Sequence, residues 1–345
     1  MMKINGGDAF SSHRIGWYDL YEDTIENISP YDNIYACGIL SPRYIHSEYT
    51  LEWINQLNFY KCGVNLGYNI NQNGLVVYSD RINQEYFRWS DSENTMIFAK
   101  EFQQMRHFFD KNLRNFSGKR RRVLIDATAI SKIALSSIVG MLVRTRAVSG
   151  IDILYQQADY QYNGLWLHDV YAAGPLHHDI NDIDFCFSAV PYSEGKYKPN
   201  LPRHIILLCG LDFQRTIAKI RELEPARIDL IIEDEAVRDS KSFASLQSLC
   251  RNLDIDPDGI LKTKRWNLNE TIKLIDLAIS RINRTNIHSI IISAGGKPFA
   301  TAATLHSILK SECPLLATVP DRVVHMQRMP LNKCKLYRLD DRTSV

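Results

Sequence analysis

Four short segments of the chain place small residues and a cation directly after an apolar run. Near the C-terminal end, Ile290-Ile291-Ile292 leads into Ser293-Ala294-Gly295-Gly296-Lys297-Pro298, then a helix-like run from Phe299 to Lys310 and a second apolar run from Pro314 to Val319. The other three are Cys37 to Arg43, Asp126 to Lys132 and Cys209 to Arg215. A turn between a strand and a helix leaves the first backbone N–H groups of the helix without partners, and the helix dipole makes that end attractive to anions. Glycine lets the backbone close on such a guest. Arginine forks onto a phosphate, and lysine acts as a point charge. The candidate ligand-binding residues are therefore Ser41, Arg43, Thr128, Lys132, Arg215, Gly295, Gly296 and Lys297. A softened turn with a solvated lysine gives the same letters, and pairing with a neighbouring carboxylate accounts equally well for Arg43 and Arg215.

Asp126 and Asp212 fall at the same strand ends and are the candidate catalytic residues, as acid/base or metal ligand in phosphate hydrolysis. A solvated strand end explains them equally well, as it does Glu233 and Asp234. Adjacent His177 and His178 beside Asp179 invite a metal, but consecutive residues do not face one ion from a regular element, so no metal is expected. The dinucleotide fingerprint is not met: Cys209-Gly210-Leu211-Asp212-Phe213-Gln214 has one glycine where three are needed, although Glu233 follows at about the ribose-reading distance. No phosphate-binding G-x-x-x-x-G-K-[ST] loop, G-x-S-x-G elbow or H-E-x-x-H helix occurs. No cofactor is expected beyond a nucleotide ligand.

Composition bounds these readings. The chain has 345 residues, 45% of them hydrophobic and 23% charged, which suits a folded protein with room for two cores. Net charge is +2, too small for a protein-wide field that holds duplex nucleic acid. Lys119-Arg120-Arg121-Arg122 is a local exception, read as a solvated loop. Seven cysteines with no C-x-x-C suit a reducing cytoplasm, and Cys37 and Cys209 read as small buried residues. No uninterrupted apolar stretch is long enough to span a membrane, and the start lacks the apolar core of a secretory signal.

The elements that must carry the turns follow from hydrophobic spacing. In the first part, a strand at Asn33–Cys37 precedes a helix from about Tyr44 to Phe59, whose Ile45, Tyr49, Trp53 and Leu57 form one apolar stripe, and then a strand at Val64–Tyr68. A short strand at Leu75–Tyr78 and a long helix at Thr95–Asn115 come next. The strand Val123–Ile125 is continuously apolar and should be covered on both faces; a helix from about Ser131 to Val148 and a strand at Ile151–Tyr155 complete the unit. Turn formers crowd residues 156–200, which read as a connection. The scheme then recurs: a strand at His204–Leu208, a helix ended by Pro225, a strand at Ile228–Ile232, a helix at Asn269–Asn283, and the 290–319 stretch, with Ser293 aligned to Asp126.

Two sequence matches support repetition. Cys-Gly-aliphatic-x-x-x-Arg occurs at Cys37–Arg43 and again 172 positions on, and Arg88-Trp89-Ser90-Asp91-Ser92-Glu93 resembles Arg265-Trp266-Asn267-Leu268-Asn269-Glu270, 177 positions on. The expected fold class is α/β, with two tandem Rossmann-like parallel-sheet halves related by internal duplication. The expected boundaries are 1–160 for the first half, 161–203 for a connection and 204–345 for the second half.

The stretch Ser293-Ala294-Gly295-Gly296-Lys297-Pro298, with its alanine-rich helix, is similar to the glycine-rich, lysine-containing turn of CARF domains, the Rossmann-like ligand sensors of prokaryotic antiviral defence. The match covers about thirty residues. The threonine common before the lysine in that family is absent, and the first half has Ala127-Thr128-Ala129 in place of glycines. The resemblance implies pairing about a two-fold axis, intramolecular in this chain, with cyclic oligoadenylate bound at the strand ends. The expectation is a cytoplasmic nucleotide or oligonucleotide sensor of a defence system that acts through an effector protein chain. An enzyme hydrolysing a nucleotide or nucleic-acid phosphate and a scaffold subunit of a defence complex are the alternatives, and homo- or hetero-oligomers are compatible with each.

Overall fold

A computed structural model describes residues 13–15, 18–23, 31–36, 60–65, 69–70, 75–79, 86–90, 121–127, 132–145, 148–162, 165–166, 185–209, 216, 219–234, 246–247, 250–251, 255–264, 266–282, 286–311, 313–320 and 327–341. The strands are β1 (His13–Ile15), β2 (Tyr18–Asp23), β3 (Tyr31–Ala36), β4 (Tyr60–Asn65), β5 (Asn69–Ile70), β6 (Leu75–Ser79), β7 (Tyr86–Ser90), β8 (Arg121–Asp126), β9 (Val148–Tyr162) and β10 (Leu165–Trp166). They continue as β11 (Phe185–Ala189), β12 (Arg203–Cys209), β13 (Pro225–Glu233), β14 (Ile260–Thr263), β15 (His288–Ser293), β16 (Leu315–Pro320) and β17 (Gln327–Asp341). Three α-helices are described: α1 (Lys132–Thr145), α2 (Leu268–Ser280) and α3 (Lys297–His306). The helices read at Tyr44–Phe59 and Thr95–Asn115 lie outside the described residues.

The protein is mixed α/β, and its described residues form two large sheets and one small one. The second large sheet has the order β11-β16-β15-β12-β13-β14 and is parallel except for β11 at its edge. Chain order runs outward from β12 to β13 and β14 on one side, and to β15 and β16 on the other. This doubly wound order puts a switch point between β12 and β15. The sequence explains the central place of these strands: Ile205 to Cys209 and Ile290 to Ile292 are apolar without alternation, and all are buried. A left-handed Glu224, at φ 46°, precedes Pro225, which opens β13 with its fixed φ.

The first large sheet is mixed rather than purely parallel. Its parallel run β4-β3-β8-β9 is extended by antiparallel β17, β2 and β1, with β10 hairpinned onto β9. β17 comes from the end of the 204–345 stretch and β11 from within 161–203, so sheet membership crosses the linear boundaries read from sequence. The two sheets exchange strands: the chain beyond β9 supplies β11, which pairs with β16, and the chain beyond β16 supplies β17, which pairs with β9. Pro330 falls where the β17–β9 register shifts, an irregularity that tolerates its missing N–H. Strands β5-β6-β7 form a separate antiparallel sheet.

Helices α1, α2 and α3 form a layer between the sheets. Leu135, Val139, Leu142, Leu268, Ile272, Ala302 and Leu305 pack with Val123, Ile125, Ile153 and Tyr337 of the first sheet. Ile133, Ile275, Ile279, Phe299 and Ala303 pack with Ile206, Ile231, Ile291 and Ala317 of the second. A helix covered on two sides must be apolar or small all round; in α3 every residue from Pro298 to His306 is buried. Gly140 of α1 brings that helix close to the π-helical turn Ser307–Ser311, because a Cβ there would stand 3.1 Å from Ile308 Cδ1 and from Tyr192 Cβ.

Candidate functional site

The site is the turn between β15 and α3. Ala294 and Gly295 both donate their N–H to the carbonyl of Leu208, at 2.9 and 2.8 Å, which folds the turn over the end of β12 at the switch point. Gly296 then caps α3 with φ −65° and ψ 174° and, as a glycine, brings no capping side chain of its own. Lys297 is the first helical residue and Pro298 follows it. The N-terminus of α2 differs: Asn267 Oδ1 accepts from Glu270 N at 3.0 Å, and Glu270 Oε2 in turn accepts from Thr263 Oγ1 at 3.0 Å and Lys264 N at 3.1 Å. The protein closes the α2 mouth with its own side chain.

Gly296 does not have positive φ, and a Cβ on it would meet Pro298 Cδ at 3.6 Å and Glu233 Oε1 at 3.8 Å, ordinary contact distances. The fold therefore does not require glycine at this position. Gly296 is itself exposed at the start of α3.

Two lysines cross between the sheets beside this turn. Lys132, the first residue of α1, donates Nζ to the carbonyl of Ala294 at 3.1 Å and to Thr318 Oγ1 at 3.0 Å. Lys297 Nζ stands 6.0 Å from the centre of the Tyr155 ring on β9. The arrangement is reciprocal in register. Asp126 pairs with Leu154 and Ser293 with Ala317, so Tyr155 and Thr318 each lie one residue beyond the strand neighbour of the turn that starts the opposite lysine's own helix. Each helix-start lysine thus reaches the corresponding position of the other sheet.

The first sheet adds aromatic cover. Tyr337, 1% exposed, donates its hydroxyl to the carbonyl of Trp266 at 2.7 Å. Burial, followed by the charges of Glu22 and Glu233 and the neighbouring Tyr155, pushes the Tyr337 pKa well above its ordinary value, so it stays a protonated donor. Trp266 has φ 64°, an unfavourable conformation for a bulky residue that this hydrogen bond and the Asn267 cap help hold in place. Glu233, 7% exposed, is not at a solvated strand end as its sequence context allowed; it sits against Gly296. Lys335 and Glu22 form an ion pair at 2.6 Å on the same side of the first sheet.

Of the residues singled out in sequence, Gly295, Gly296, Lys297 and Lys132 come together here. Ser41, Arg43, Thr128, Arg215 and Asp212 lie outside the described residues; so do His177 and His178. Asp126 is placed through its backbone, as the last residue of β8, paired with Ala36 and Leu154. Arg122 departs from the solvated-loop reading: it lies in β8 and is ion-paired with Asp152 and Asp340. Cys209 is buried, as read. Sequence reasoning did not find Tyr155, Tyr337 or Trp266 as members of this site, because strand pairing between distant segments brings them to it.

A second polar chain lies at the amino ends of the same strands. His204 Nδ1 is 3.1 Å from Ser289 Oγ, and His204 Nε2 is 3.0 Å from Asp229 Oδ2. All three residues are buried, which makes the chain a staple across β15, β12 and β13 rather than an exposed nucleophile. Burial raises the Asp229 pKa, but hydrogen bonds from His204 and Arg227 outweigh it and bring it below the ordinary carboxylate value. Among the described residues no group of three His, Cys, Asp or Glu side chains is placed to hold a metal ion, and no helix is long and apolar enough to cross a membrane. No protein-family model matches the chain, and no curated protein is significantly similar to it.

Proposed function

We propose that the chain is a nucleotide or oligonucleotide sensor, with two Rossmann-like halves that arose by duplication and a phosphate-containing ligand held where their helix mouths converge. The observation that carries this reading is the α3 mouth: a helix start at a doubly wound switch point, with the exposed glycine Gly296 as its N-cap, flanked by Lys297 and Lys132. Preorganised N–H groups with nearby cations are a phosphate-binding arrangement. The shared parallel order β4-β3-β8-β9 and β13-β12-β15-β16, together with the reciprocal lysines, supports the duplication.

The resemblance of Ser293–Pro298 to the CARF turn makes cyclic oligoadenylate the first ligand to try and prokaryotic antiviral defence the setting. An effector chain in the cytoplasm would receive the signal. The three-helix layer gives ligand binding a path to a partner, since α1 and α3 each start beside the turn and pack against both sheets. In a thermal-shift assay, cyclic or linear oligoadenylates should raise the melting temperature of the wild-type chain, and Lys297→Ala should abolish the rise. No shift with any nucleotide would remove the reading.

A further inference from the structure

Glu233 ends β13, the second strand outward from the switch point. Its Oε1 comes within 3.8 Å of the Cβ position of Gly296, which follows β15, so the side chain leans across the end of β12 to the mouth of α3. A carboxylate beside a helix N-terminus is electrostatically favoured. It also repels any second anion that brings no hydrogen-bond donor with it. A ligand compatible with both groups presents phosphate oxygens to the α3 mouth and hydroxyl hydrogens to Glu233. A carboxylate has about four lone-pair sites, so it can accept such donors beside the contacts it already makes in the protein, and an acid at the end of the second strand of a doubly wound sheet is placed to read ribose.

Ser293 independently marks the turn as built for a guest. The residue is 1% exposed, and its hydroxyl has no hydrogen-bond partner in the protein. Strand alternation puts its side chain on the face of β15 shared with Ile291, which packs against Phe299 in the first turn of α3. A buried hydroxyl without a partner is costly, and a ligand oxygen at the α3 mouth would supply one.

We propose that Glu233 determines specificity at this mouth: its carboxylate accepts hydrogen bonds from the ribose of a ribonucleotide phosphate, so that 2′-deoxy ligands and bare inorganic phosphates are rejected. The proposal rests on the nucleotide-binding reading above. Calorimetric titration of the full chain and of Glu233→Gln with cyclic and linear oligoadenylates, their 2′-deoxy counterparts and inorganic pyrophosphate tests it. Wild type should bind the ribose forms about 10- to 100-fold more tightly than the deoxy forms, the discrimination that a hydrogen bond to a charged group supplies. It should not bind pyrophosphate. Glu233→Gln should bring ribose and deoxy forms to within about twofold and gain pyrophosphate binding. Equal wild-type affinities for the two sugars, or a ratio unchanged in the variant, overturns the role of Glu233 and leaves nucleotide binding standing. Absence of binding by every nucleotide overturns both. Should circular dichroism show the variant unfolded, the wild-type comparison of the two sugars and pyrophosphate decides alone.

Discussion

Lys132 Nζ lies 3.0 Å from Thr318 Oγ1, joining the start of α1 to a strand of the opposite sheet. With its second bond to the Ala294 carbonyl, this lysine ties the first sheet's helix to the turn of the candidate site. Lys132→Met keeps the aliphatic stem and removes both bonds. A charged donor that leaves two acceptors costs about 1.5–3 kcal/mol, so the urea midpoint should fall accordingly with little change in slope. An unchanged midpoint would mean that the lysine is not a tether.

Asp152 is fully buried and holds the guanidinium of Arg122, with Arg338 Nε 3.3 Å away. Burial opposes the charge on Arg122, but Asp152 and Asp340 outweigh it and raise its pKa. Asp152→Ala would take the buried carboxylate away from two arginines, and removing one member of a buried pair costs about 3–5 kcal/mol. Asp340→Ala removes a carboxylate that is 38% exposed and should cost no more than about 1 kcal/mol. Chemical denaturation of the two variants side by side checks the contrast.

Asp276 joins α2 to the end of α3 through His306 Nε2 at 2.8 Å and Lys310 Nζ at 2.6 Å. Burial raises its pKa, but the hydrogen bonds and charges of His306 and Lys310 prevail and lower it from 3.8 to about 2. A depressed carboxylate pKa contributes stability that is fully present above the unfolded value and lost as pH falls through the folded one. Asp276→Asn should therefore melt below wild type at neutral pH. The gap should narrow from about pH 4 downward and close near pH 2. A gap constant from pH 6 to 2 would contradict the assignment.

The parallel strands around the switch point were legible because their apolar runs are continuous: Ile205 to Leu208, Leu230 to Ile232 and Ile290 to Ile292 announce burial on both faces. The Ser293–Lys297 turn was legible because glycine and lysine follow such a run. Strand exchange was not. β11 and β17 depend on pairing between residues far apart in the chain, and no local spacing records that Phe187 faces Thr318 or that Leu336 faces Leu154. Tyr155 and Tyr337 were hidden for the same reason, since each reads only as an aromatic in a strand. Arg122 looked like part of a solvated basic run because its partner Asp152 lies on the next strand of the sheet. Glu233 looked exposed because a strand end usually is, and only its lean across β12 removes it from water.

Gly296 separates folding from binding. Its φ of −65° suits any residue, and a Cβ would meet its neighbours at 3.6 and 3.8 Å, so Gly296→Ala should melt within about 1 °C of wild type in the absence of ligand. The added methyl group would stand beside the Lys297 N–H, where a phosphate oxygen must come within about 3 Å to accept its hydrogen. Oligoadenylate affinity should then drop on the order of tenfold or more, the cost of about one lost charge-assisted hydrogen bond. Calorimetric titration of the alanine variant measures this directly. Unaltered affinity in a folded variant would show that no ligand closes on the α3 mouth, and the phosphate would have to be sought at another turn.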